Sequence, residues 1–271
     1  MHGAVSARRQ RSGSPSFQSV RRELVARPEA NVIEIAREAP ASGEPRRPLP
    51  TVAEVVPRRR SEAVSRAANF VIAAVAMVLL APVFLLIALA VKLTSPGPVF
   101  YSQVRVGVDR RYLKKNTYDR RGYDHGGRPF MMFKFRTMQQ NAEADGRAVW
   151  AAKSDPRVTA IGGLMRRTRL DELPQLFNVL RGDMNIVGPR PERPTIFANM
   201  RRKIPEYSMR QRVKPGITGW AQINHAYDAS IDDVRQKVQF DIQYMERQSL
   251  AHDLRIMTKT LPVMLFRRGS R

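Results

Sequence analysis

The chain contains no cysteine, which removes disulfide scaffolds, thiolate zinc sites and thiol nucleophiles together. Its four histidines (His2, His125, His225, His252) are scattered, and no H-x-x-x-H pair seats a metal on one helix face. Any metal is therefore expected to be a hard, oxygen-ligated ion such as Mg²⁺. No Walker loop G-x-x-x-x-G-K-[ST] and no G-x-G-x-x-G occur, which argues against an ordinary NTPase or a dinucleotide enzyme. No G-x-S-x-G marks a serine nucleophile. Acidic residues are scarce: 24 Asp and Glu stand against 47 Lys and Arg, a net charge of +23 over 271 residues. Such an excess favours anionic partners, whether nucleic acid, anionic lipid or phosphorylated substrates. No nucleic-acid motif is present, and the basic residues lie around an apolar segment, so nucleic acid is not expected as a partner.

Three regions follow from composition. Residues 1–61 form a basic, Arg- and Pro-rich stretch without apolar periodicity, too poor in apolar surface to offset its ordering entropy. This region is expected to be a disordered tail, with at most a brief helix near residues 30–37. Residues 62–94 contain a charge-free run from Ala67 to Val91, flanked by Arg58, Arg59, Arg60, Arg66 and Lys92. A straight helix over that run would be about 37 Å long, enough to cross a hydrocarbon core of about 30 Å. Pro82 interrupts it, removing a backbone hydrogen bond and predicting a kink. Cut there, neither piece spans alone, and both flanks are basic. A hairpin entering and leaving by the same face fits those flanks, and a single crossing helix with a tolerated proline fits the length.

Residues 95–271 read as an α/β domain, mostly helical. After the turn Ser95-Pro96-Gly97-Pro98, strands are predicted over 99–108 and 130–138, with a polar loop between. Helices are predicted over 157–169, 173–180, 231–248 and 251–266, the last apolar enough to touch membrane or core.

The densest chemistry lies in Arg166–Arg193, RRTRLDELPQLFNVLRGDMNIVGPRPER. Asp171 and Glu172 are adjacent carboxylates ahead of Pro174, so a helix is expected to begin near Asp171 and to stop at Gly182. One reading makes Asp171 an N-cap and Glu172 a first-turn acid. The other follows from Arg166, Arg167, Arg169 and Arg190, which keep a carboxylate ionised and can hold a polyphosphate. Gly188-Pro189-Arg190-Pro191 fixes an arginine on stiff backbone, aimed at an oxyanion or simply solvated in a turn. Lys134 and Arg136, two apart on a strand, share a face that is either solvated or cationic toward a substrate. In Lys214-Pro215-Gly216-Ile217-Thr218-Gly219-Trp220 the glycines admit a ligand to the backbone, or the segment is a turn beside a core-packed Trp.

Taken in order, the Pro-interrupted apolar helix, SPGPVFYSQVRVG, FKFRTM, RRTRLDELPQLFNVLRGDMNIVGPRP and KPGITGWAQIN resemble the bacterial sugar transferases, the monotopic phosphoglycosyl transferases. The resemblance covers about residues 62–268. It implies a small cytoplasmic catalytic domain on a Pro-broken re-entrant membrane helix with interfacial amphipathic helices, at the bacterial inner membrane. The implied reaction moves sugar-1-phosphate from a UDP-sugar to undecaprenyl phosphate, releases UMP, and opens exopolysaccharide, O-antigen or glycoconjugate assembly, with downstream glycosyltransferases as further partners. By this resemblance Asp171 is the nucleophile that forms a covalent phosphosugar intermediate, and Glu172 supports it. Mg²⁺ sits near the dyad on Asp171. Arg190 and Arg166 hold phosphate, with Lys134 and Arg136 as further cations. Lys214, Gly216, Thr218 and Gly219 form a donor- and nucleotide-binding region, and Pro82 marks the membrane-helix break. Where the family often carries Ser before that proline, Ala81 stands here.

Overall fold

The computed structural model describes residues 55–110, 126–140, 142, 155–225 and 230–265. The predicted tail up to residue 54, with the brief helix near 30–37, and most of the loop at 109–128 lie outside them.

The apolar run forms two helices. Helix α1 (Glu62–Leu79) starts at Ser61, whose hydroxyl accepts from Val64 N at 3.3 Å, and stops at Leu80. Helix α2 (Ala81–Thr94) begins at once, with Pro82 in its first turn, where a missing N–H costs little. The proline therefore starts a second helix instead of kinking one. By length and composition α1 is long and apolar enough to cross a membrane.

Each helix has two apolar faces. Ala73, Met77, Leu80 and Phe84 pack on Met132, Leu176, Val179 and Met184, while Ile87 and Val91 pack on Phe135 and Met165. Val71, Val75, Val78, Leu79, Leu85, Leu86, Leu89 and Leu93 point outward and are more than half exposed. Single exposed apolar residues are ordinary, but a continuous set along one helix pair marks an interaction surface.

Strands β1 (Phe100–Val106) and β2 (Pro129–Phe135) pair antiparallel, with Tyr101 opposite Lys134. Helix α3 (Ala160–Thr168) leads into a 3₁₀ turn at Leu170–Glu172 and then α4 (Gln175–Arg181), which Gly182 ends at φ 86°. Two strands of three residues, β3 (Asn185–Val187) and β4 (Gly216–Thr218), pair in parallel. Between them lie α5 (Pro194–Lys203) and a 3₁₀ stretch, Pro205–Arg212. Helices α6 (Trp220–Asn224), α7 (Ile231–Arg247) and α8 (Leu250–Leu265) close the order. A capping box starts α7, with Asp233 N donating to Ser230 Oγ and Ser230 N donating to the Asp233 carboxylate.

The largest core cluster joins Val106, Val187, Phe197, Tyr207, Val238, Tyr244, Met245 and Ile256. Residues 55–60, the end of the predicted tail, belong to this folded body. Arg58 N donates to Met245 O at 2.9 Å, Gln248 Nε2 donates to Arg58 O at 2.8 Å, and Arg60 pairs with Asp253 at 2.8 Å.

Candidate active site

The dyad is presented by an unusual turn. Arg169 adopts φ 56°, ψ 17°, and is the one non-glycine at positive φ among the described residues. A left-handed residue costs about 1 kcal/mol or more, a strain that clusters at functional sites. It reverses the chain after α3, so that Leu170 and Leu173 pack beside Phe135 and Met165 while Asp171 and Glu172 face inward, each 7% exposed. Helix α4 begins at Gln175, not near Asp171, and neither dyad carboxylate caps it. The capping reading of Asp171 fails because a 3₁₀ turn stands between it and α4, and no α4 amide donates to its side chain.

The two carboxylates are unequal. Glu172 is gripped by the Arg190 fork, with Nη1 donating to Oε2 at 3.2 Å and Nη2 to Oε1, and Lys134 Nζ donates to Oε1 at 3.0 Å. Burial alone would raise the Glu172 carboxyl, but Arg190 and Lys134 hold it well below the usual range. Asp171 accepts no hydrogen bond among the described residues, and its nearest cation, Lys134, is 3.8 Å away. Burial pushes its carboxyl above the usual range, with Lys134 opposing and Glu172 adding. Glu172 is thus the fixed member, organising two cations, and Asp171 is the carboxylate left open.

Lys134 arrives from β2, which α4 holds: Asn178 Nδ2 donates to Met131 O at 2.6 Å and its Oδ1 accepts from Phe133 N at 3.0 Å. Arg190 arrives on a loop whose carbonyls are bound in succession. Pro189 O accepts from Gly216 N at 3.0 Å, Arg190 O from Arg210 Nη2 at 3.1 Å, Pro191 O from Arg105 Nη1 at 3.0 Å, and Glu192 O from Val106 N at 2.9 Å. Arg210 is fully buried and donates from Nε to Asp241 at 2.6 Å. Glu192 lies 3.2 Å from Lys237 and 3.7 Å from Arg210. Burial would raise Glu192, but Lys237 and Arg210 lower it from 4.5 to about 2. Its folded value lies below its unfolded one, so this pairing stabilises fully above about pH 4.5 and is lost as pH falls toward 2. In acid titrations followed by circular dichroism, Glu192→Gln is expected to flatten that part of the stability curve.

The remaining predicted residues fall in other places. Arg166 lies in the last turn of α3, its charge favouring the ionised Asp171 carboxylate, and its side chain makes no hydrogen bond or ion pair among the described residues. Arg136 does not join Lys134. Its guanidinium donates to Pro96 O at 2.5 Å and to Ser95 O and Oγ at 2.8 Å each, pinning the turn after α2. Arg136→Met is accordingly expected to lower stability by about 2 kcal/mol, read in thermal melts. Gly216 and Gly219 press on the Gly188 backbone, where added Cβ atoms would lie 2.1 Å from Gly188 N and 2.3 Å from its O. Thr218 Oγ1 is 2.8 Å from Thr260 Oγ1, and Lys214 is half-buried, its ammonium lowered by burial and by Arg66. This segment is a brace behind the Arg190 loop.

Asn178, Arg105, Arg210, Asp241 and Glu192 were not among the sequence candidates. Only Glu192 carried a local signal, its place beside the Gly-Pro-Arg-Pro run. For a metal, no group of three His, Cys, Asp or Glu side chains converges among the described residues. With both Glu172 oxygens engaged, Asp171 is the dyad carboxylate open to a cation.

An open carboxylate beside clamped cations on stiff backbone suits a phosphate-bearing substrate. The sequence profile of the bacterial sugar transferases matches residues 60–267, and the chain belongs to that family. It is 42% identical over 208 residues to a UDP-N-acetylgalactosamine-undecaprenyl-phosphate N-acetylgalactosaminephosphotransferase of Aeromonas hydrophila, an overlap of 77% of this chain and 45% of that protein. It is 41% identical over 198 residues to the UDP-glucose:undecaprenyl-phosphate glucose-1-phosphate transferase of Escherichia coli, 72% of this chain and 39% of that protein. The exopolysaccharide production protein ExoY of Rhizobium meliloti is 35% identical over 219 residues, 76% of this chain and 87% of that protein. The chain thus spans less than half the length of the first two relatives.

Proposed function

We propose that this protein transfers sugar-1-phosphate from a UDP-sugar to undecaprenyl phosphate in two displacements on Asp171. The observation that carries the reading is the asymmetry of the dyad: Glu172 is bound by Arg190 and Lys134, while Asp171 accepts no hydrogen bond among the described residues. In the first displacement an Asp171 oxygen attacks the sugar-bearing β-phosphorus. The bond from that phosphorus to the bridging oxygen breaks, and UMP leaves with the electron pair. In the second, an oxygen of undecaprenyl phosphate attacks the same phosphorus, and the Asp171 carboxylate leaves. The product is an undecaprenyl diphosphate sugar, and the enzyme is restored.

Arg190 and Lys134 neutralise equatorial phosphate charge where they stand, at no reorganisation cost. Arg166 supplies a third cation on the Asp171 side. Mg²⁺ suits the donor set, because this ion binds through one or two carboxylates together with substrate phosphates. Asp171 would hold it, and the ion would add charge neutralisation to the diphosphate.

The helix pair α1–α2 is read as re-entrant in the inner membrane, with the catalytic residues on the cytoplasmic face. Helix α2, at 14 residues, is about 21 Å long and too short for a hydrocarbon core of about 30 Å. The exposed apolar faces on both helices support lipid contact, and the lipid acceptor gives that contact a purpose. The product would enter exopolysaccharide or related glycan assembly.

The test is UMP release by detergent-purified protein with Mg²⁺, undecaprenyl phosphate and a panel of UDP-sugars. Turnover of one donor, dependent on both Mg²⁺ and lipid phosphate, is expected. Folded protein that releases no UMP from any donor would overturn the reading in favour of a binding or scaffold role.

A further inference from the structure

We propose that Arg66 and Asn69, on the core-facing side of α1, are positioning residues for the transfer site: Arg66 holds the dyad segment and Asn69 holds the Arg190 loop. The inference rests on the reaction proposed above. These are polar side chains in and beside an otherwise apolar run, three residues apart and so on one helix face. Both turn away from the exposed apolar side, and both end on backbone of segments that carry site residues.

The Arg66 guanidinium donates to Val179 O and Leu180 O, at 2.5 Å each. These carbonyls belong to the last turn of α4, where the helix dipole is negative; Val179 O also accepts from Gly182 N at 3.0 Å, and Arg66 adds a charged donor to it and to Leu180 O. A planar fork reaches both at once in a fixed geometry, whereas an ammonium is a point charge on a flexible stem. Gly182 makes room: a Cβ there would lie 3.3 Å from Arg66 Cζ, and its φ of 86° favours glycine independently. Helix α4 starts three residues after Glu172 and carries Asn178, which sets the β2 edge and with it Lys134. One contact from α1 therefore braces the element on which both the dyad and Lys134 depend.

Asn69 is 6% exposed, and each end of its amide is used. Nδ2 donates to Ser65 O at 2.8 Å, and Oδ1 accepts from Ile186 N at 2.7 Å. Along β3 the amides alternate in direction. Asn185 N donates across to Pro215 O, so Ile186 N faces away from β4 and meets Asn69. Ile186 stands four residues before Arg190, and Gly188 N is already bound to Thr218 O. Asn69 thus fixes the outer side of the strand that delivers the Arg190 loop, as β4 fixes the inner side.

The two contacts predict separable kinetic signatures in the full chain in detergent. A displaced nucleophile slows chemistry, and a misplacement of about 1 Å costs on the order of 100-fold. Arg66→Met is therefore expected to lower kcat for UMP release roughly tenfold or more with KM near the parent value. Arg66→Lys, which keeps the charge but not the fork, is expected to fall between. Asn69→Ala loosens a phosphate contact made in ground and transition states alike, so KM for the UDP-sugar is expected to rise severalfold with the smaller change in kcat. Amide hydrogen exchange gives a readout independent of turnover, with faster exchange expected over 175–188 and parent rates in α7 and α8.

Parent kcat and KM in both variants, with only the melting temperature lowered, would make these contacts structural and overturn the proposal. Unchanged exchange over 175–188 would overturn it as well. Failure of the parent protein to release UMP would instead strike the reaction itself, while exchange would still decide whether α1 holds the two segments.

Discussion

Asp171→Asn is expected to abolish UMP release, by roughly 10³-fold or more, while the protein melts at or above the parent temperature. The amide is not a nucleophile toward phosphorus, so neither displacement can start. Stability should survive because the Asp171 carboxylate accepts no hydrogen bond among the described residues and has its nearest cation at 3.8 Å. Burial already disfavours its charged form, so a neutral isostere removes a desolvation cost from the folded state. Glu172→Gln should behave oppositely. It strips the Arg190 fork and Lys134 of their shared partner, so the melting temperature should drop along with activity. UMP quantified by chromatography beside thermal melts of both variants separates the roles. Equal turnover by Asp171→Asn would remove Asp171 as nucleophile. A melting temperature lowered as much as in Glu172→Gln would contradict the asymmetry.

Gly216→Ala is expected to destabilise the protein by about 3 kcal/mol or more and to take activity with it. The added Cβ would lie 2.1 Å from Gly188 N and 2.5 Å from Thr218 O. Both are backbone atoms, so no rotamer change relieves the collision. The β3–β4 pair must part, and Gly216 N would draw away from Pro189 O, the bond that begins the clamp on the Arg190 loop. A ligand cradle would behave differently, with a parent-like melt and only KM raised. A denaturant titration together with the donor KM distinguishes the two, and the brace predicts loss of fold first.

Much of the fold was legible because its strongest signals are local. The strand at 100–106 and the helices at 160–168, 231–247 and 250–265 carry their own apolar period, and the strand at 129–135 is a short apolar run. The stop at Gly182 was readable from its chemistry. The dyad turn was not, since Asp-Glu-x-Pro imitates a helix start and nothing in Arg169 announces a left-handed residue. Alternation expects Lys134 and Arg136 on one side of a strand. But β2 ends at Phe135, and Arg136 follows the chain out to the Ser95–Pro96 turn. Strands β3 and β4, of three residues each, are too short to show a period. The pairing of Arg210 with Asp241 joins charges 31 residues apart, which no spacing rule anticipates. Local chemistry thus located the reactive pair, and tertiary contacts decided which carboxylate is tied and which is open.

The double-sided packing of α1 and α2 bears on modularity. Their inner faces supply Ala73 to one core cluster and Ile87 and Val91 to another, the latter adjoining Leu170 and Leu173 on either side of the dyad. A shortened chain starting at Ser95 would open both clusters to water and take the Arg66 guanidinium from the last carbonyls of α4. Grafting a foreign apolar segment in place of residues 62–94 would restore hydrophobicity without the side chains that fit. The helix pair is not an interchangeable anchor: it has to evolve, and be transplanted, together with the catalytic residues it supports.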